Sequence, residues 1–240
     1  MCKYYIGTSG WHYDHWKGLF YPEELPHNRW LEYYAAQFNT VEINNSFYHL
    51  PTENAFTQWH STTPVSFKYT VKASRVITHI NRLKDAGEYL DNLIQRASLL
   101  QNKLAILLFQ LHPRMKLNLE RLETFLAALP RDKRAAFEFR HSSWCCKPVY
   151  SLLEKYRTGF CMYDLPVYTT PIVATSDFAY IRFHGNQDLY LSSYSEAEMK
   201  VWARKITGLP AKVKEVYIYF NNDAGAAAIA NALTLRRLLQ

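Results

Sequence analysis

The stretch LAILLFQLHP, residues 104–113, is a continuous apolar run that ends in polar side chains. A run of this length without alternating polar residues is typical of a parallel β-strand that is covered on both faces. The runs AYIRFHG, residues 179–185, and VYIYFNN, residues 216–222, have the same form. All three runs therefore predict buried strands with polar residues at their carboxyl ends.

Five further runs extend this pattern through the chain: YYIGTSGW from residue 4, VEINNSFY from 41, SFKYTVKA from 66, AAFEFRHSSW from 135 and GFCMYD from 159. Apolar residues recur at helical spacing over residues 90–100 and 119–129, and Ser195 with Glu198 forms a capping box at the start of another helix. An Ala-rich helix is predicted to close the chain over residues 225–239. The alternation predicts an α/β fold, a single TIM-type (β/α) barrel domain of parallel strands over residues 1–240.

Two segments depart from a regular strand and helix alternation. Residues 164–176 contain two prolines and have no helical period, so we expect the barrel to be irregular around its sixth strand. Residues 73–86 are rich in arginine, lysine and histidine and are predicted to form a long loop over the active end. Loops of that length are often functional.

Composition limits the class of protein only loosely. The net charge of +7 weakly favours anionic partners, because it raises their local concentration. Four cysteines give no disulfide framework, and no apolar run approaches the ~18 residues of a membrane span. With no signal peptide in the first residues, we expect a cytoplasmic protein with no membrane partner. The oligomeric state is left open.

Polar and charged residues at the predicted strand ends mark a candidate site, because the carboxyl ends of the strands in a parallel barrel share one mouth. These residues are Ser9, Trp11, Glu42, Asn44, Lys68, Gln110, Glu138, Arg140, Asp164, Arg182, His184, Asn221 and Asn222. Four of them, Glu42, Glu138, Arg140 and Arg182, stand inside apolar runs, where an unpaired charge is unfavourable. They form either a structural ion-pair network or a network that also binds a ligand.

Three other features of the mouth have alternative interpretations. HGN at 184–186 and NNDAG at 221–225 either cradle an anion, with Gly185 and Gly225 allowing close backbone approach, or are ordinary turns. The aromatic residues Trp11, Tyr13, Phe47, Tyr48 and Trp144 either stack on a ligand or cover the core. The set His12, His15, His79, Glu138, Asp164 and His184 has metal-binding side chains, but it forms no compact ligand motif and two arginines oppose a cation. We assign no metal ligand and no required cofactor, and a divalent metal stays an alternative.

The order of motifs resembles a known family. GTSGWHYDHWKGLFYP from residue 7, VEINNSFYHLP from 41, FKYTVKASRVITH from 67, LLFQLHP from 107, EFRHSSW from 138, YIRFHG from 180 and YIYFNND from 217 are similar to the motifs of the YecE-like family, domain of unknown function 72. The resemblance implies a TIM-type barrel whose activity is not established. The family's motif positions correspond to Trp11, Glu42, Asn44, Phe47, Tyr48, Lys68, Thr78, His79, Gln110, Glu138, Arg140, Asp164, Arg182, His184, Asn221 and Asn222, and His112 departs from the family's usual pattern.

The leading hypothesis is an enzyme whose mouth binds a small anionic ligand, phosphorylated or nucleotide-like. Lys68, Arg140 and Arg182 would neutralise its charge, and Glu138 would act as general acid/base with Glu42 or His184 as partner. Further substrate-binding candidates are Trp11, Asn44, Tyr48, His79, Gln110, Asp164, Gly185, Asn221 and Asn222. The candidate reaction classes are hydrolase and lyase. The alternatives are a non-catalytic nucleic-acid-binding protein and a metal-dependent nuclease or isomerase-like barrel.

Overall fold

Parallel strands form the wall of a barrel in the computed structural model, which describes residues 2–240. The strands are β1 Lys3–Thr8, β2 Thr40–Ile43, β3 Lys68–Lys72, β4 Leu104–Gln110, β5 Ala135–Glu138, β6 Gly159–Leu165, β7 Tyr168–Thr169, β8 Phe178–Phe183 and β9 Glu215–Phe220. All except β7 pair in parallel, in the order β1-β9-β8-β6-β5-β4-β3-β2. The eight predicted strands and the TIM-type barrel are thus confirmed.

Helices follow most strands and cover the outside of the barrel. They are α1 Trp30–Gln37, α2 Glu53–Thr62, α3 Gly87–Ser98, α4 Leu119–Ala128, α5 Lys147–Lys155, α6 Glu196–Thr207 and α7 Ala227–Leu239. The predicted capping box at Ser195 and Glu198 is present at the start of α6. No helix within residues 2–240 has the length and apolar character needed to cross a membrane.

The predicted irregularity around the sixth strand is confirmed. In the described chain no helix connects β6 to β8; instead the short strand β7 turns back and pairs antiparallel with β6. The predicted loop over residues 73–86 contains a single π-helical turn, Val76–Ile80. This turn begins four residues after the end of β3.

The barrel closes between β1 and β2 partly through side chains. Backbone N–H groups of β1 donate to Asn39 Oδ1, at 3.1 Å, and to the Tyr34 hydroxyl, at 2.8 Å. The strands approach so closely that a Cβ atom at Gly7 would lie 2.1 Å from the carbonyl oxygen of Thr40. No side chain larger than that of glycine fits at this position between β1 and β2.

Large side chains fill the barrel interior. Tyr5, Tyr180, Tyr217 and Tyr219 belong to one buried cluster with Ala105, Ile106, Leu108, Ala136, Cys161 and Phe178. The Tyr219 hydroxyl lies 2.8 Å from Thr40 Oγ1 and 2.9 Å from Thr70 Oγ1, so this tyrosine is fixed across the interior. Because the interior is packed in this way, polar groups at the carboxyl ends of the strands lie on a closed floor rather than above a channel.

Candidate functional site

A chain of three buried charges crosses the carboxyl end of the barrel. Arg182 from β8 donates from Nη2 to Glu42 Oε1, at 2.7 Å, and from Nη1 to Glu138 Oε2, at 2.5 Å. All three side chains are fully buried. Charges in such a position need partners, and here one guanidinium bridges carboxylates from β2 and β5. The structural ion-pair network that the sequence allowed is therefore present.

Neutral groups complete the coordination of both carboxylates. Glu42 accepts hydrogen bonds from Ser9 Oγ and the Tyr180 hydroxyl, each at 2.5 Å. Glu138 accepts one from Gln110 Nε2 at 3.0 Å. The two carboxylates are consequently occupied by protein donors, and their first role in this structure is to hold Arg182 and its neighbours in place.

Arg140 forms the upper layer of this network. Its Nε pairs with Glu138 Oε1, its Nη2 lies 3.0 Å from His184 Nε2, and its guanidinium lies 5.0 Å from the centre of the Tyr163 ring. The side chain is 11% exposed, whereas Arg182 is not exposed at all. Its Nη1 has no acceptor within residues 2–240. Arg140 is therefore the arginine of this network that can reach a molecule in the mouth.

The network fixes the protonation of its members. Burial by itself raises the pKa of Glu138, but the guanidinium groups of Arg140 and Arg182 and the contact with His184 hold that pKa well below its usual range. Burial and the same two arginines lower the pKa of His184 to about 3. Near neutral pH Glu138 is thus a carboxylate and His184 a neutral imidazole, whose Nδ1 lies 3.1 Å from Asn221 Nδ2.

Lys72, the last residue of β3, brings a further amine to the same floor. Its residue exposure is 9%, and Nζ lies 4.3 Å from the centre of the Phe47 ring. Within residues 2–240, Nζ has no hydrogen bond and no ion pair. Burial, with a contribution from Arg182, lowers the pKa of Lys72 to about 8, although Glu138 and Glu42 act in the opposite direction.

Histidines and an arginine from two loops form the rim beside Lys72. The His79 ring lies 5.0 Å from the ring of Phe47 and 5.2 Å from that of His112. Burial, followed by the neighbouring charges of His112, Lys72 and Arg75, lowers the pKa of His79 to about 4. Lys72 and Arg75 therefore bring positive charge to this side of the mouth, beside a histidine that is uncharged near neutral pH.

Seven predicted residues come together in or directly against the network: Glu42, Gln110, Glu138, Arg140, Arg182, His184 and Asn221. His79 joins them at the rim. Asn44 follows β2, and its Oδ1 is buried without a hydrogen bond in the described chain. For these residues the sequence placed the right side chains at the mouth, and their roles toward a ligand stay predictions.

The prediction that Lys68 lies at the mouth is wrong. Lys68 begins β3 rather than ending it, and its Nζ donates to the backbone oxygen of Asn102 at 2.6 Å. Charged groups near it are Glu215, Lys3 and Arg134, which belong to the amino end of the barrel. The lysine that reaches the mouth is Lys72, four residues later on the same face of the strand.

Other predicted ligand-binding residues have internal partners. Trp11 is buried and packs edge-on against Trp59, with ring centres 5.3 Å apart. The Gly185 N–H donates to the Tyr194 hydroxyl at 3.2 Å. Asn222 is fully buried and donates to Asn231 Oδ1 at 2.9 Å. Gly185 and Asn222 therefore support the 185–194 loop, and the anion cradle expected around them is not formed by these two residues.

Two more candidates lie to the side of the network. Asp164 ends the parallel part of β6 and accepts a hydrogen bond from Thr169 Oγ1 within the β6–β7 hairpin. Tyr48 is 65% exposed and contacts Phe47 edge-on, so it can cover a ligand but is not held over the floor.

Metal binding finds no support in the side-chain arrangement. Within residues 2–240, no group of three or more histidine, cysteine, aspartate or glutamate side chains is placed to hold a metal ion. Glu138 and His184 do approach each other, at 3.3 Å, but two guanidinium groups occupy the space where a cation would be attracted.

A cavity lies at the opposite end of the barrel from this network. It has a volume of about 560 Å³, and its lining includes Arg131, Arg134 and Arg157. Arg134 is held there by Glu215 at 2.5 Å and by the face of the Phe178 ring. Strand ends at this side of a TIM barrel serve stability, so we place the candidate site at the carboxyl end, where the unpaired amine lies.

Comparison with known proteins gives consistent matches. The family model "Protein of unknown function DUF72" matches residues 5–240. The UPF0759 protein YunF of Bacillus subtilis is 27% identical, over 98% of this chain and 94% of its own length. The UPF0759 protein YecE of Escherichia coli K12 is 29% identical over 60% of this chain and 50% of its own length.

Solved structures agree with the sequence matches. The crystal structure of a DUF72 family protein from Thermotoga maritima superposes with a TM-score of 0.89 at 33% identity, covering 99% of both chains. A methyltransferase from Methanosarcina mazei, at 8% identity and a TM-score of 0.51, shares the fold alone. With a family model that spans nearly the whole chain, this protein belongs to the DUF72 family of proteins of unknown function.

Proposed function

We propose that the carboxyl end of the barrel binds a small anionic substrate, phosphorylated or nucleotide-like, and that the protein is an enzyme that acts on it by proton transfer. The observation that carries the proposal is Lys72, a residue that is 9% exposed at the mouth and whose Nζ has no hydrogen bond and no ion pair in the described chain. A buried ammonium group in this position is stabilised when an anion binds beside it.

The charge balance of the floor supports an anionic ligand. Three cationic side chains, Lys72, Arg140 and Arg182, face two carboxylates, and Arg182 alone bonds both of these. Arg140 Nη1 and Lys72 Nζ retain donors that no acceptor within residues 2–240 uses. A phosphate or carboxylate group between them would accept hydrogen bonds from both, and a guanidinium is well shaped for that contact.

Proton transfer is better assigned to Lys72 than to Glu138. A group that gives and takes a proton near neutral pH needs a pKa in that range. The pKa of Glu138 is held well below its usual range and that of His184 is near 3, whereas that of Lys72 is near 8. Glu138 and Glu42 then position Arg140 and Arg182, and Lys72 carries the proton.

A thermal-shift screen tests the binding part of the proposal. The ligands are inorganic phosphate, glycerol phosphate, adenosine monophosphate, a single-stranded oligonucleotide and magnesium chloride, at low salt. We expect a small phosphate to raise the melting temperature of the wild type, since a ligand at 100 times its Kd adds about 2.7 kcal/mol to the native state.

Two lysine variants locate the binding. Lys72→Met should remove most of the shift, while Lys68→Met, which changes a lysine on the same strand at the other end of the barrel, should keep it. Equal shifts in both variants would contradict the proposal. A response to the oligonucleotide alone, steeply reduced by salt, would favour nucleic-acid binding instead.

A further inference from the structure

The surroundings of Lys72 differ from those of Lys103, the other buried lysine of the described chain, and from those of Lys205, whose Nζ lies 4.4 Å from the centre of the Trp202 ring but on the exposed surface. Lys68 Nζ, Lys103 Nζ and Lys155 Nζ each bond an oxygen atom, at 2.5 to 2.6 Å. Lys72 Nζ instead lies over the face of the Phe47 ring and opens toward the mouth. A largely buried amine without an oxygen acceptor is poorly stabilised as an ammonium ion, because the aromatic ring offsets only part of the lost hydration, and such lysines act as nucleophiles toward carbonyl groups.

We infer that Lys72 forms an imine with the carbonyl carbon of an aldehyde or ketone substrate whose anionic group is held by Arg140. This inference rests on the proposed function, because it uses the same mouth and the same anion contact. It adds the substrate class: a small carbonyl compound that carries a phosphate or carboxylate group.

The step balances with the groups present. The neutral amine of Lys72 attacks the carbonyl carbon, and its displaced proton passes to the carbonyl oxygen to give a carbinolamine. Loss of the hydroxyl group with one proton as water forms the carbon–nitrogen double bond, and protonation of the nitrogen gives an iminium ion. No oxidant or reductant is consumed. The carboxylates of Glu42 and Glu138 stabilise this positive charge from the floor of the site, since both act on the charge of Lys72.

The other titratable groups near this amine are arranged to leave it reactive. Arg182 and Arg140 disfavour its protonation from β8 and from the end of β5. His79 lies across the Phe47 ring, and its lowered pKa, near 4, keeps it uncharged near neutral pH. At a pH near 8 about half of the Lys72 amine is then neutral, whereas an ordinary lysine is neutral to well under about 1%.

Reductive trapping tests the inference. The wild type is incubated at pH 8 with glycolaldehyde phosphate and sodium cyanoborohydride, and the modified lysines are identified by peptide mass spectrometry. We expect modification of Lys72 to exceed that of the exposed Lys200 on α6 by about tenfold or more, because a larger fraction of the Lys72 amine is neutral. Glycolaldehyde, which lacks the phosphate, should modify Lys72 several-fold less than glycolaldehyde phosphate does at the same concentration, and so should glycolaldehyde phosphate with the Arg140→Gln variant.

The outcomes separate this inference from the proposed function. Modification of Lys72 no greater than that of Lys200, in a protein whose melting temperature phosphate still raises, would overturn the imine and leave the anion site. Strong modification of Lys72 that is the same with and without the phosphate group would support the imine and count against the anion site.

Discussion

Replacement of Lys72 by methionine should make the protein more stable near neutral pH. Methionine fills a similar volume and has no charge, so the buried position no longer carries a poorly solvated ammonium group. The pKa of this lysine falls from its usual 10.5 to about 8 on folding. Each pKa unit corresponds to about 1.4 kcal/mol, so the charged form destabilises the native state by about 3 kcal/mol.

The loss of the contact with Phe47 reduces this gain. A cation over an aromatic ring contributes about 1 kcal/mol when it is partly buried. We therefore expect Lys72→Met to raise the free energy of unfolding at pH 7 by about 2 kcal/mol.

The sign of the pH dependence follows from the direction of the pKa change. Below pH 8 the lysine is charged in both the folded and unfolded states, and the full penalty is present. Between pH 8 and 10.5 the unfolded chain binds more protons than the native protein, so wild-type stability rises with pH relative to the variant. The advantage of Lys72→Met should therefore shrink over this range.

Urea denaturation followed by circular dichroism at pH 7, 8, 9 and 10 measures this difference. Lys200→Met is the matched control, since Lys200 lies on the exposed side of α6, where it pairs with Glu196. The control should keep the wild-type dependence on pH. A difference between wild type and Lys72→Met that stays constant from pH 7 to 10 would refute the reasoning, because it would mean that Lys72 has an ordinary pKa.

Three further substitutions test the scaffold of the site. Arg182→Met leaves two buried carboxylates without their shared cation and should lower the free energy of unfolding by about 3 to 5 kcal/mol in urea denaturation; a loss below about 1 kcal/mol would contradict the network. Gly7→Ala places a Cβ atom against the Thr40 carbonyl oxygen and should strongly lower the melting temperature. Gly87→Ala, at a position with open space around it, should not lower it. Similar melting temperatures for the two variants would show that β1 and β2 are less closely packed than described. Ser195→Ala removes the cap of α6 and should lower the free energy of unfolding by about 1 kcal/mol, measured in the same way, so an unchanged value would argue against the capping box.

The strands of the barrel could be predicted because buried parallel strands consist of continuous apolar runs. Residues 104–109 and 216–220 contain no polar residue, and a parallel strand covered on both faces needs none. The short antiparallel strand β7 was not predicted. Its two residues, Tyr168 and Thr169, have no pattern of their own, and they pair with β6 because the connection turns back on itself.

Glu42, Glu138 and Arg182 could be predicted as a group because a charge inside an apolar run needs a partner at the same depth. Their pairing could not. Arg182 bonds Glu42, which is 140 positions earlier in the chain, and Glu138, which is 44 positions earlier. This choice of partners depends on which strands of the barrel face each other. Because this pairing holds the pKa of Glu138 well below its usual range, it also disfavours Glu138 as the group that transfers a proton.

The prediction placed Lys68 at the mouth, where the structure has Lys72. This error shows that site residues are hard to predict when the ends of a strand are uncertain. Both lysines lie in the run SFKYTVKA and, with two-residue periodicity, on the same face of β3. The sequence reasoning placed Lys68 at the carboxyl end of a strand, but β3 begins at that residue. An error of one strand length moves a side chain from one end of the barrel to the other.

Gly185 and Asn222 have internal partners that the sequence did not indicate. Their partners are Tyr194, in the loop before α6, and Asn231, in α7. No local sequence pattern predicts these contacts. A glycine or asparagine after a strand has the same appearance in sequence whether it binds a ligand or supports a loop.

A crystal of the protein soaked in sodium selenate tests the central claim most directly, because selenium scatters anomalously and selenate has the shape of a phosphate group. We predict an anomalous peak at the carboxyl end of the barrel, with selenate oxygens within hydrogen-bonding distance of Lys72 Nζ and the Arg140 guanidinium. Selenate bound only in the cavity lined by Arg131 and Arg157, with an empty mouth, would contradict the account.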